Sequence, residues 1–374
     1  MAVGKLSRTL AHYPWGGQGA ISELFGWSPT NEPEAEWWLG VHPVRPSTLA
    51  ADKTPLSEWL QRYDARSDLP YLFKVLAPTM PLSLQVHPTT EQAERGYDAE
   101  TSAGVALDAA ERLYKDRFAK PELVVALDGG FVALAGVRPL AESIDSLRAL
   151  GADGQTPAID SFIDRLQSAG IPATVEWVLG GGDEVTQLVE QLAGQASRND
   201  TLSRLVTHFP TDPGIAIAML LHRADLEPGQ ALFVDAGVPH AYLEGYAVEL
   251  MAPSDNVLRG GLTSKHIDTE AFVDIASLKP GPVPMLAPES ANQALSVYYP
   301  PGQAFDLSRL QGSQVSEKIE LSGPSIVLCT EGTWQLRGPR GSVTASRGEA
   351  WVVSQSESPM VFEGSGQLWW ASPR

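Results

Sequence analysis

Near its middle this sequence changes grammar. From about residue 139 to 222 the apolar residues recur every three or four positions: Ile159, Phe162, Ile163 and Leu166, then Val185, Leu188, Val189 and Leu192, then Leu202, Leu205 and Val206. That is the period of helices with one buried face. On either side the apolar runs are short and end in Gly, Pro and Asp, as strands joined by tight turns do. No low-complexity linker and no short-period repeat interrupts the pattern. The expected fold is mainly β with a helical insertion. Residues 1–138 and 223–275 form one discontinuous β domain, 139–222 an all-α unit, and 276–374 a second β domain.

Within the first β region, PYLFKVLAPTMPLSLQVHP (70–88) predicts two strands around a Pro-containing turn. TSAGVALDAAERLYK (101–115) predicts a helix from its Ala, Leu, Glu and Arg content. ELVVALDGGFVALAGV (122–137) predicts a hairpin that turns at Asp128-Gly129-Gly130. Asp183, after Gly180-Gly181-Gly182, is placed as a helix N-cap. In the last hundred residues, alternating runs such as SIVLCT, GTWQLRG and AWVVSQ predict an antiparallel sandwich or jelly roll. PGQALFVDAGVPH and SRGEAWVVSQSESP (346–359) share the order Gly, apolar strand, turn, an echo that fits two related β units.

Composition narrows the partners. The formal net charge is −18, with 45 acidic against 27 basic residues, so neither nucleic acid nor an anionic membrane finds a basic face here. An anionic small molecule must instead be caught by a local cluster of Arg and Lys. Cys329 is the only cysteine, which excludes an intramolecular disulfide and thiolate metal clusters. The mean hydropathy of −0.10 is that of an ordinary globular chain. No apolar signal-peptide region and no membrane-length run is visible. The expectation is a cytoplasmic protein and, with no marked interface, a monomer.

Three segments carry metal-ligand chemistry. Gln85 and His87 stand two apart in an apolar run, so strand alternation puts both on one face. Glu122 follows Lys120-Pro121 at the head of an apolar strand, and His240 follows a Gly-x-Pro turn. Two imidazoles, a carboxylate and an amide oxygen make a mixed N/O set suited to a borderline divalent metal. Taken singly, each has a plainer structural reading, as a hydrogen-bonded core pair, a solvated strand start or a turn residue. His12, His42, His208, His222 and His266 carry no paired spacing. A fourth segment, 246–268, adds Glu249, Arg259, Gly260-Gly261 and Lys265, the cations and backbone approach that an anion site needs.

Together these segments resemble the type I phosphomannose isomerases, zinc enzymes of the cupin superfamily. The likeness runs from Tyr13-Pro14-Trp15-Gly16 through AEWWLGVHP, LPYLFKVL, PLSLQVHP and YKDRFAKPELVVAL to GVPHAYLEGYAVELMAPSDNVLRGGLTSKHID. Beyond about residue 275 it rests on architecture. Val86 and Trp38 depart from the family pattern outside the inferred ligand set. The resemblance implies two cupin-type jelly-roll domains and one zinc ion held by Gln85, His87, Glu122 and His240. The implied reaction interconverts mannose 6-phosphate and fructose 6-phosphate through a cis-enediol. Arg259 cannot serve as a base at neutral pH, so it holds charge at the enediolate or phosphate. Glu249 is the first choice of base, with a hydroxide on the metal as its rival. Lys120, Ser83 and Lys265 grip phosphate and hydroxyls, and Trp15 and Tyr242 complete the implied substrate set. Two alternatives remain open: an isomerase of another sugar phosphate, and a non-catalytic sugar-phosphate binder. The binder could dispense with Glu249, Arg259 and Lys265.

Overall fold

A computed structural model describes every residue except 1, 65–67, 152, 153 and 155. Two large antiparallel sheets carry the chain. In the first, the strands run in the order Ala231–Val234, Glu122–Val137, His240–Met251, Leu72–Leu76, Glu36–Leu39, Leu10–Ala11. Gln85–Val86 pairs with the start of His240–Met251 and with Leu258–Arg259, and Leu221–Leu226 pairs with the far half of Glu122–Val137. In the second sheet the order is Val3–Lys5, Glu349–Val353, Ser325–Gly338, Met360–Pro373, Phe305–Ile319, Leu295–Tyr298, Glu289–Ser290.

The two sheets repeat one plan. Glu349–Val353, Ser325–Gly338, Met360–Pro373 and Phe305–Ile319 neighbour one another as Ala231–Val234, Glu122–Val137, His240–Met251 and Leu72–Leu76 do. Gly341–Ser346 lies on Ser325–Gly338 as Leu221–Leu226 lies on Glu122–Val137. The segments that echo each other in sequence therefore hold matching places. The first strand, Val3–Lys5, pairs with Glu349–Val353 in the second sheet, and at its end Lys5 and Leu6 bridge back to Ala50 and Leu49. One apolar core joins the sheets, with Trp37, Phe73 and Leu250 from the first against Ile326, Leu328 and Trp369 from the second. Fully burying each such side chain is worth roughly 1.5–3 kcal/mol.

Between the sheet-forming regions, Leu140–Gly151, Pro157–Gly180, Asp183–Gly194, Asp200–His208 and Gly214–Ala218 are helices. Their apolar stripes, Phe162, Leu188 and Leu205 among them, share one core with Leu84, Val86, Leu258 and Leu262. The helical block therefore backs directly onto the segments that carry Gln85 and Arg259.

Three local expectations are corrected. The hairpin at Asp128-Gly129-Gly130 is a bulge: Glu122–Val137 continues through it and pairs in the same direction with His240–Met251 on both sides, through Glu122–Ala126 and Phe131–Ala135. Gly129 and Gly130 take positive φ, which suits a bulge as well as a chain reversal. The partner strand shifts register opposite, at Gly245, where a Cβ would lie 2.3 Å from the Gly130 carbonyl oxygen. The helix expected over 101–115 lies earlier, at Thr90–Ser102. There Thr89 and Gln92 close a capping box, and chain ordering at that end outweighs the Ala-rich composition downstream. Residues 103–115 are turns held by the buried Arg112, which donates to the carbonyls of Val105 and Tyr114 and pairs with Glu100. Finally, Gly182 occupies the N-cap expected at Asp183, which is instead the first helical residue.

Candidate active site

Strand ends bring the expected ligands together. His240 opens the strand His240–Met251 opposite Gln85, and Glu122 opens Glu122–Val137. His87 follows the short strand Gln85–Val86 and is fully buried. The His87 Nδ1 lies 2.8 Å from the Asn256 carbonyl oxygen, and the His240 Nδ1 lies 2.9 Å from that of Val238. A carbonyl only accepts, so both Nδ1 atoms carry the proton and both Nε2 atoms present a lone pair. Those lone pairs converge on Glu122, 3.2 Å from His87 and 3.6 Å from His240. The three ligand atoms lie within 4.8 Å of one another. The His87 Nε2 is buried without a hydrogen-bond partner, a costly state unless a cation takes its lone pair. The donor set and this orphaned nitrogen fit a divalent metal.

Electrostatics keep the donors ready. Burial lowers both imidazoles, His240 to about 4 with the help of His87, so both are neutral at pH 7. Burial alone would raise Glu122, but Lys120 and the histidines hold it well below the usual carboxylate range. Its carboxylate accepts from Lys120 Nζ at 2.6 Å and from the Tyr242 hydroxyl at 3.0 Å. The Gln85 amide donates to Ser83 Oγ at 3.0 Å, which leaves its carbonyl oxygen free to face the chamber.

That chamber, about 80 Å³, is lined by Gln85, Glu122, His240, Tyr242 and Glu249. It shares Lys74, Lys120 and Gln85 with a cleft of about 400 Å³ that leads outward. On the adjoining wall the buried Lys74 lies 3.1 Å from Glu249 and 3.8 Å from Glu36. Burial raises Glu249 to about 7, Glu122 adding to the effect and Lys74 opposing it. Burial would lower Lys74, but Glu36 and Glu249 hold it above the usual lysine range. Trp38 fixes Glu36 by donating to it at 2.5 Å. A carboxylate balanced near neutrality beside a metal-shaped donor set is the equipment of proton transfer.

The cleft's outer part is cationic. Arg259 is half-buried and Lys265 exposed, and neither pairs with a carboxylate among the described residues. Burial lowers Arg259; burial and the like charge of Arg259 lower Lys265. Thr263, Ser264 and Ser83 line the same region, and Trp15, stacked on Tyr13 at 5.9 Å, forms part of its wall. A larger cleft, about 640 Å³, lies at the Gly129-Gly130 bulge and contains none of these groups.

The expected residues thus gather in one place, with one difference of position. Tyr242 lines the inner chamber and not the outer cleft; it is buried, and its hydroxyl donates to Glu122 at 3.0 Å. Lys74 and Glu36 belong to no ligand or anion motif of the sequence. A lone lysine inside LFKVL, where all five residues are buried, was the signal available. His42 carried no spacing signal, yet it is buried against Trp38 with its Nε2 3.4 Å from Asp255 on the cleft wall.

Comparison with known proteins identifies the family. The family model "phosphomannose isomerase type I, catalytic domain" matches residues 3–140. Mannose-6-phosphate isomerase of Escherichia coli (strain K12) is 34% identical over 385 residues, covering 97% of this chain and 98% of that protein. The Homo sapiens protein of the same name is 28% identical, with 94% and 93% covered. The crystal structure of the Salmonella typhimurium mannose 6-phosphate isomerase bound to substrate and zinc matches with a TM-score of 0.91 at 31% identity over the whole of both chains. A donor set at strand ends, a buried carboxylate–lysine pair and near-complete coverage by these relatives lead to one conclusion: the chain belongs to the type I phosphomannose isomerase family.

Proposed function

We propose that the chain is an aldose–ketose isomerase that interconverts D-mannose 6-phosphate and D-fructose 6-phosphate with one zinc ion, held by Gln85, His87, Glu122 and His240. The observation that carries this reading is the orphaned His87 Nε2 facing Glu122 and His240, one chamber away from Glu249. Zinc, when bound there, supplies Lewis acidity toward the sugar's carbonyl and neighbouring hydroxyl oxygens.

The chain's own residues do the rest. Arg259 and Lys265 anchor the phosphate at the cleft, with Ser83 and Trp15 bounding the sugar, so that C1 and C2 reach the chamber. Glu249 takes the proton from one carbon and returns it to the other through the cis-enediol. Its position near neutrality lets it do both at similar cost. Lys74 holds Glu249 in place, and Lys120 steadies Glu122 and adds positive charge where oxyanion character develops. A buried carboxylate raised to about 7 and held 3.1 Å from Lys74 favours catalysis over simple binding.

The domain reading goes with it: a cupin-type catalytic unit of residues 1–138 and 223–275, a helical unit of 139–222 and a second jelly roll of 276–374. The single cysteine and the net charge of −18 fit a cytoplasmic enzyme of carbohydrate metabolism with no nucleic-acid or membrane partner, and with no marked interface the chain is read as a monomer. Among the described residues no helix is long and apolar enough to cross a membrane. The test is formation of fructose 6-phosphate from mannose 6-phosphate, with Arg259→Ala lowering kcat/KM by about a hundredfold or more, the scale of a lost charge-stabilising donor. A variant that keeps most of its kcat/KM removes Arg259 from the site.

A further inference from the structure

The turn that follows Arg259 and leads to Lys265 is held in an unfavourable shape, and the group that holds it comes from the helical block. Gly261 has φ +127° and Leu262 has φ +56°, a left-handed conformation that a branched side chain avoids unless its surroundings impose it. Leu262 is buried in the core shared with the helices. On one flank the turn is pinned to the strand region before Gln85, since Gly260 donates to the Leu84 carbonyl and Leu84 to that of Gly261. On the other flank stands Asp212, in the connection between the helices Asp200–His208 and Gly214–Ala218. One of its carboxylate oxygens accepts from the Gly214 amide at 2.7 Å, the other from the Thr263 amide at 3.0 Å. Thr263 Oγ1 in turn accepts from the Lys265 amide at 3.1 Å. The two backbones meet glycine on glycine: a Cβ on Gly214 would lie 2.7 Å from the Gly261 Cα and 2.8 Å from the Leu262 amide nitrogen.

We infer that Asp212 is a positioning residue for the phosphate end of the substrate: it bridges the helical block to the Gly261–Thr263 turn and so sets where Arg259 and Lys265 stand. The inference rests on the isomerase reading and adds to it a job for the helical insertion. Both carboxylate oxygens accept from backbone donors, and Asp212 is not among the residues that line the cleft. Its charge strengthens both hydrogen bonds, because an ionised acceptor binds an amide about twice as strongly as a neutral one. The strained turn relaxes when that brace is removed, and the cations move out of register with the chamber.

The test is steady-state kinetics on zinc-loaded protein for Asp212→Ala, Asp212→Asn and Gly214→Ala, with calorimetric binding of inorganic phosphate and zinc content measured in parallel. In Asp212→Ala the KM for mannose 6-phosphate is expected to rise about tenfold, the scale of one lost hydrogen bond to a charged group, with kcat changed by less than about threefold. Phosphate binding weakens by a similar factor and zinc content is unchanged. Asp212→Asn keeps one accepting oxygen and falls between wild type and Asp212→Ala. Gly214→Ala, whose Cβ would press on the turn and on the Asp212 Oδ1 (2.8 Å) together, keeps the carboxylate but disturbs the same bridge; it gives the same split between KM and kcat and decides the matter if Asp212→Ala does not fold. Unchanged KM and phosphate affinity in the folded variants, or a loss confined to kcat or zinc content, overturns the role of Asp212. Wild-type protein that loads zinc but turns over no mannose 6-phosphate overturns the isomerase reading instead, and the phosphate affinities still decide for or against Asp212.

Discussion

Glu249 sits where three influences meet: burial and Glu122 push its proton affinity up, and Lys74 at 3.1 Å pulls it down. In the metal-free protein the balance lies at about 7, and a dication in the adjoining chamber draws it lower. A base must be ionised to accept a proton. Activity is therefore lost as pH falls through the Glu249 value, and the acid limb of the kcat/KM profile lies at or below about pH 7. Glu249→Gln, of the same shape but unable to take a proton, is expected to lower kcat by about a hundredfold or more while zinc content holds. Retention of most of kcat would remove Glu249 as the base. The ligands make a second prediction. Both histidines are already neutral and Glu122 already ionised near pH 7, so loading zinc has few protons to displace. Calorimetry in buffers of different ionisation enthalpy should find fewer than about one proton released per zinc, whereas two or more would mean that the donors start out protonated. The four proposed ligands stand out in the sequence because each sits beside a strand start or a turn, marked by Pro or Gly. Lys74 and Glu36 do not, since what joins them to the site is mutual proximity across neighbouring strands, and spacing within one strand says nothing of that.

At the scale of elements, helix period was the surest signal. The stripes around Phe162, Leu188 and Leu205 became helices because each had a core to bury against. Turn chemistry was ambiguous where it mattered: Asp-Gly-Gly supplies positive φ, and both a hairpin and a bulge need that. The long pairing of Glu122–Val137 with His240–Met251 decided for the bulge, and with it the separation of Glu122 from the far end of its own strand. Gly245, at φ +110° and facing the Gly130 carbonyl, is the residue that permits the crossing. Gly245→Ala adds both backbone strain and a 2.3 Å clash, and is expected to destabilise the fold by about 2 kcal/mol or more in urea unfolding. A change under about 0.5 kcal/mol would show that the bulge relaxes easily.

For the molecule as a whole, the sequence supplied the division into β-rich and helical regions, and even the echo between the two sheets. It could not supply the pairing of Val3–Lys5 with Glu349–Val353, because partners so distant along the chain leave no local trace. Nor could it show that the helical block backs onto the cleft through Leu262 and Asp212. The architecture follows from burial: two sheets share a core around Trp37 and Trp369, and helices seal the other side of the ligand-bearing segments. Such a scaffold holds donors from separate segments within one chamber, so that a metal finds its site already built. The measurement that tests this account most directly is a coupled assay of fructose 6-phosphate formed from mannose 6-phosphate, on protein as purified, after exhaustive chelation, and after zinc is returned. The account predicts activity that vanishes with chelation and comes back with zinc. Turnover that survives complete removal of metal, or folded zinc-loaded protein that never turns over, would contradict it.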